Sequence, residues 1–169
     1  MSGAAAAGAG GGPAVEIAKR AAVPTAAAAF ADVAFDRLPE LYDRVFSQLF
    51  AALVGRGIEP AGAPYGLYTR VGETVDVQIG VPLGAALVEP FALDEEVEIR
   101  GFELPAGTVA STVHVGGYDG LPAAWQALVA ELRAAGREAV QPCWEVYLDQ
   151  PQPGGDPRGL RTELVTLVR

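Results

Sequence analysis

Residues 38–55 read LPELYDRVFSQLFAALVG, and residues 121–136 read LPAAWQALVAELRAAG. Both stretches open on Leu-Pro, close on glycine and carry apolar residues at spacings of three and four. Leu41, Val45, Leu49 and Leu53 form one stripe; Leu121, Trp125, Leu128 and Leu132 form the other. That period marks an amphipathic helix with one buried face. Proline suits the first helical turn, where its missing N–H would have had no partner. Gly55 or Gly57 stops the first helix and Gly136 the second. Asp36 and Asp119, just upstream, are placed to cap the helices or hold the turns that enter them. Two helices with one opening predict a duplicated chain.

Working outward, the segments on either side repeat as well. Val15-Glu16-Ile17 and Val97-Glu98-Ile99 each begin a strand, and residues 24–35 and 107–115 form a second. Each helix leads into an aromatic strand, Pro64-Tyr65-Gly66-Leu67-Tyr68 in one copy and Pro142-Cys143-Trp144-Glu145-Val146-Tyr147 in the other. Each copy closes with one more strand, 75–81 and 161–168. The prediction is an α+β fold, strand-strand-helix-strand-strand twice, with repeats at about 15–83 and 96–169 and a break near 84–90. One half has too small a core to stand alone. Two halves pairing edge to edge give one antiparallel sheet, two main helices and a central groove along a pseudo-twofold, a common place for ligands. Residues 1–14 are small-residue low complexity and are expected to be a flexible leader, leaving 15–169 as a single domain. The loop 149–160, rich in proline and glycine, belongs on the surface.

Composition narrows the function classes. The 169 residues are 50% apolar and 20% charged, which predicts a folded domain. The net charge is −9 and the pI about 4.5, which argues against direct nucleic-acid binding. One cysteine, Cys143, excludes an internal disulfide, and with one histidine, His114, no Cys/His zinc site can be built. No metal or cofactor is expected. No apolar run has the length of a membrane span and no signal peptide opens the chain, so a cytoplasmic protein is expected.

The segment His114-Val115-Gly116-Gly117-Tyr118-Asp119-Gly120-Leu121, then 142–148 and then Thr162-Glu163-Leu164 together resemble the GyrI-like small-molecule-binding domain. The same domain is the effector-binding part of some AraC-type and MerR-type regulators. The resemblance spans about 15–169 and implies the duplicated fold already read from the repeat. It also implies binding of hydrophobic, often cationic compounds in the groove, with Glu145 at the groove's base and Tyr147 and Tyr68 as its walls. Two departures stand out. No aromatic follows Glu163 in the last strand, where Leu164-Val165-Thr166 stands. The fourteen residues ahead of the domain are too few for a helix-turn-helix, so a stand-alone protein is expected rather than a regulator.

Strand alternation puts Cys143, Glu145 and Tyr147 on one face and Trp144, Val146 and Leu148 on the other. A buried, unpaired carboxylate costs several kcal/mol or takes up a proton. A bound organic cation offsets that cost, and each tyrosine face adds about 0.5–2 kcal/mol of cation–π attraction. The plain alternatives are that Glu145 is exposed or pairs with Arg161. Trp125 is either core, by its helical spacing, or groove wall. His114 is read as a turn residue satisfying a backbone group near Gly116-Gly117, and Cys143 as a small buried hydrophobe. Glu163 is read as an outward acid, and Asp94-Glu95-Glu96 with Glu98 as a solvated edge that discourages strand pairing.

Three functions follow. The first is binding of hydrophobic, cationic or electrophilic small molecules, for sequestration or sensing, through Glu145, Tyr147, Tyr68 and Trp125. The second is a hydrolase opening a strained electrophilic natural product, with Glu145 activating water and Tyr147 or Tyr68 donating to the leaving oxygen. The third is a modulator whose acidic surface at 94–98 competes for a basic protein partner.

Overall fold

Both predicted helices form. α1 spans Leu38–Val54 and α2 spans Leu121–Ala134. Each is entered through a single 3-10 turn, Phe35–Arg37 and Tyr118–Gly120, so the duplication extends to the approach. Asp36 and Asp119 lie in those turns but make no side-chain cap bond. The stops are glycines with positive φ, Gly57 (76°) and Gly136 (77°). In each, paired backbone bonds close the last turn: Ile58 N–H to Leu53 O and Gly57 N–H to Val54 O, then Arg137 N–H to Leu132 O and Gly136 N–H to Arg133 O. This is the Schellman arrangement, and it selects Gly57 over Gly55 as the residue in the left-handed region.

The computed structural model describes residues 14–169; the segment expected as a leader falls almost wholly outside them. Nine strands form one antiparallel sheet. They are β1 (Glu16–Arg20), β2 (Val23–Ala34), β3 (Tyr65–Val71), β4 (Thr74–Pro82), β5 (Phe91–Ala92), β6 (Glu98–Leu104), β7 (Gly107–Val115), β8 (Ala139–Tyr147) and β9 (Arg161–Val168). Their spatial order is β1-β7-β9-β8-β3-β4-β2-β6-β5. The halves meet edge to edge at β3 and β8, as the repeat predicts. The first strand of each half does not stay with its own half. β1 pairs with β7, and β6 pairs with β2. β1 and β2 are joined by two residues, which span about 11 Å at most between Arg20 and Val23. β1, at one end of the order, must therefore lie close to β2, near the other end, and the sheet curls. The crease is double, since Arg20 pairs with Gly107 while Val23 pairs with Leu104.

Three packed clusters follow from alternation along the strands. Under α1, Leu41, Val45, Leu49 and Leu53 meet Val75, Val77 and Ile79 of β4. Under α2, Leu121, Leu128 and Leu132 meet Ala110 and Leu164. The third lies on the opposite face of the curled sheet, where Tyr65, Leu67, Val109, Trp144 and Val165 come from both halves. That cluster draws its residues from both repeats. Tyr65 carries a hydroxyl into it and donates to Thr25 Oγ1 at 2.8 Å, satisfying a polar group that would otherwise be stranded.

The acidic stretch 94–98 is not only an edge. Asp94 Oδ1 accepts from the backbone N–H of Glu96 and Val97, and Arg44 of α1 forks onto both Asp94 oxygens at 2.9 and 3.1 Å. It ties the β5–β6 turn to α1. Among the described residues no helix is long and apolar enough to cross a membrane.

Candidate functional site

The seam between β3 and β8 is the floor of the site. Gly66 faces Glu145 across it, and Tyr68 faces Cys143. Residues 66 and 68 and residues 143, 145 and 147 turn to the helix side, because Tyr65, Leu67 and Trp144 are committed to the shared cluster beneath. Above the seam, α1 and α2 stand apart and leave a cleft of about 1140 Å³. Tyr42 and Phe46 of α1, Trp125 and Val129 of α2, and Tyr118 from the turn before α2 face it.

Glu145 is 7% exposed at the bottom of this cleft. Each carboxylate oxygen accepts one short bond. Trp125 Nε1 donates to Oε2 at 2.7 Å, and the Tyr147 hydroxyl donates to Oε1 at 2.7 Å. No ion pair reaches it among the described residues. Arg161, the partner considered from the sequence, is bound to Asp149 at 3.0 Å. Burial raises the carboxyl above its ordinary value, against the opposing pull of the Tyr147 and Trp125 bonds and of His114.

Three aromatic rings meet that of Tyr147. Tyr42 lies 5.6 Å away at 87°, Tyr118 5.8 Å at 67° and Phe46 6.1 Å at 66°, all edge-on. Such contacts between rings hold their faces in place. The Tyr42 and Tyr68 hydroxyls are 2.8 Å apart. Tyr147 is pushed well above the ordinary phenol value by burial, then by Tyr42 and Glu145. Burial, followed by Tyr68 and Glu145, does the same to Tyr42. Burial and the nearby acid push the Cys143 thiol up to about 12. Each of these groups stays neutral at neutral pH, so Glu145 is the one group among them whose charge is open to change.

The structure brings Glu145, Tyr147, Tyr68 and Trp125 to one cleft. Trp125 answers both of its sequence readings, packing against the α2 cluster on one side and bonding Glu145 on the other. His114 bonds the Gly117 carbonyl at 3.0 Å through Nε2, as a turn residue does. Glu163 lies opposite Val146, on the far face of the sheet, and pairs with Arg20 at 2.8 Å. Tyr42, Phe46 and Tyr118 were not among the predicted site residues. Tyr42 and Phe46 lie four apart, flanking the stripe that marks α1, and Tyr118 sits inside the His114–Leu121 motif.

Comparison with solved structures finds the same fold at low identity. The C-terminal domain of EcmrR aligns at TM-score 0.73 with 19% identity, covering 93% of this chain and 98% of that one. The EcmrR chain solved in a DNA complex aligns at 0.72 and 19% over 92% of this chain, which spans 57% of that chain. SAV2435, solved bound to tetraphenylphosphonium, aligns at 0.65 with 11% identity over 92% of this chain and 94% of that one. A protein from Listeria innocua described as a hydrolase aligns at 0.62 with 8% identity over 94% and 93%. A search of curated protein sequences gives no match. A family model, the GyrI-like small molecule binding domain, matches residues 26–169, and a match over that much of the chain places it: the protein belongs to the GyrI-like small molecule binding domain family.

Proposed function

We propose that this protein binds hydrophobic organic cations in the cleft between its repeats, with Glu145 neutralising the guest, for sequestration or for sensing. One observation carries the reading. A buried carboxylate, bonded by two neutral donors and paired with no base among the described residues, lies at the bottom of a large aromatic cleft. Its charge is costly there without a partner. A cationic centre 4 Å away recovers about 4 kcal/mol at an effective dielectric near 20. Faces of Tyr147, Tyr42 and Trp125 add cation–π attraction. The tetraphenylphosphonium bound to SAV2435, a protein of the same fold, is a reasonable first probe. Calorimetric titration of tetraphenylphosphonium into the wild type is expected to show binding that tightens as pH rises through the Glu145 titration. Glu145→Gln should weaken it about tenfold or more and remove the pH dependence. Equal affinity for both proteins would overturn the proposal.

A second reading is hydrolysis. A carboxyl with a raised pKa, 2.7 Å from a tyrosine hydroxyl, has the make-up of a general base beside a hydrogen-bond donor. Turnover of a strained electrophilic ring, lost in Glu145→Gln, would support it; stoichiometric uptake without product would count against it.

A further inference from the structure

The two repeats correspond residue by residue at the floor, in sequence and in strand register. Tyr65-Gly66-Leu67-Tyr68 corresponds to Trp144-Glu145-Val146-Tyr147, and Tyr42, four residues after Leu38, corresponds to Trp125, four after Leu121. Gly66 and Glu145 are therefore the same position in the two copies. They are also direct partners across the β3–β8 seam, so the pseudo-twofold passes between them. A faithful duplicate would set two carboxylates face to face, with Cβ atoms about 5 Å apart. The first copy has no side chain there. The space is filled by Tyr42, whose hydroxyl stands where a Cβ on Gly66 would go. On the α2 side, Trp125 and Tyr147 bond a carboxylate; on the α1 side their counterparts, Tyr42 and Tyr68, bond each other.

The hydroxyl pair has a hydrogen to spare. Each phenol carries one hydrogen, and one of the two closes the 2.8 Å contact. Whichever tyrosine donates, the other O–H has as its further partner only the Tyr147 hydroxyl, which itself donates to Glu145, and the oxygen of a guest can take that place. The remaining acids at the cleft do not supply a second deep charge. Asp43 stands at the exposed rim, and Asp149 is already bound by Arg161.

We propose that the floor is a two-part recognition site, taking a single positive charge on the α2 side at Glu145 and an uncharged hydrogen-bond acceptor on the α1 side at the Tyr42–Tyr68 hydroxyl pair. The inference rests on the cation-binding reading above and narrows it to amphipathic monocations carrying an ether, carbonyl or similar oxygen beside the charged centre. A site built to bond a polar group discriminates against an isostere that lacks it.

Two near-isosteric phosphonium ions test this, (4-methoxyphenyl)triphenylphosphonium and (4-ethylphenyl)triphenylphosphonium, one with an acceptor oxygen and one without. Their dissociation constants are measured by calorimetry on three proteins, with melting curves to confirm folding. The wild type is expected to favour the methoxy compound by about five- to tenfold. In the double variant Tyr42→Phe with Tyr68→Phe the ratio should fall to about one. In Glu145→Gln both compounds should weaken while the ratio persists. A wild-type ratio of one, or a ratio that survives the double variant, overturns the proposal. If Glu145→Gln leaves both affinities unchanged while the double variant abolishes the ratio, the charge reading fails and the hydroxyl half stands alone. If neither compound binds the wild type, both fall.

Discussion

Burial acts on the charge of Glu145, and that has a measurable sign. Its carboxyl is raised by burial, so the native chain holds this proton to higher pH than the unfolded chain does. Between the ordinary carboxyl value and the raised one, the folded state binds more protons, and stability falls as pH rises. Other acids act in the opposite sense. Arg70 lowers Asp76, Arg44 lowers Asp94, Arg161 lowers Asp149 and Arg158 lowers Asp156. Their contribution is lost as pH falls. The informative quantity is the difference between wild type and Glu145→Gln: melting temperatures followed from pH 4 upward should show the variant gaining on the wild type as pH rises. Cys143 offers a second check. With its thiol pushed up to about 12, it carries on the order of a thousandfold less thiolate than an unperturbed cysteine. Disulfide exchange with an aromatic disulfide at pH 8 is expected to be correspondingly slow in the native protein and fast after unfolding in urea.

At the scale of elements, two glycines do different work, and two substitutions tell them apart. At Gly136 the backbone φ is 77° and no atom lies within 4 Å of a built Cβ. Gly136→Ala is therefore expected to cost about 1–2 kcal/mol from backbone conformation alone. At Gly66 the backbone is ordinary strand and the obstacle is Tyr42. Gly66→Ala should cost about 1–3 kcal/mol by overpacking, and shortening Tyr42 to alanine alongside it should recover part of that loss. Urea denaturation of the single and double variants reads both effects. The helices, their stops and the outward face of β8 were legible in the sequence because each is written in local spacing and in the residue types that the spacing selects. Tyr42 and Phe46 were not, because they lie at the flank of the α1 stripe, where periodicity does not distinguish a cleft wall from a half-buried surface.

The molecule as a whole is interlocked. β1 belongs by sequence to the first half and by pairing to the second, and β6 reverses the exchange. Local pattern revealed the duplication but not this exchange, since strand pairing over some ninety residues leaves no periodic trace. Arg20 shows the consequence, reaching from β1 to Glu163 of β9 at 2.8 Å. A chain beginning at residue 21 would leave the Gly107–Ser111 edge of β7 open. It is expected to melt lower and to self-associate with rising concentration, which analytical ultracentrifugation would detect; a monomer of unchanged melting temperature would contradict the interlocked architecture.

The glycine opposite Glu145 has one more effect. A cleft with true dyad symmetry would admit a guest in two equivalent poses and gain about 0.4 kcal/mol from that degeneracy. Here the two sides are chemically unlike, a carboxylate facing a pair of phenols, so the degeneracy is lifted. A guest whose own two ends are identical in solution is thereby desymmetrised on entry, and an isotope label at both ends should give two bound resonances of equal intensity where the free compound gives one.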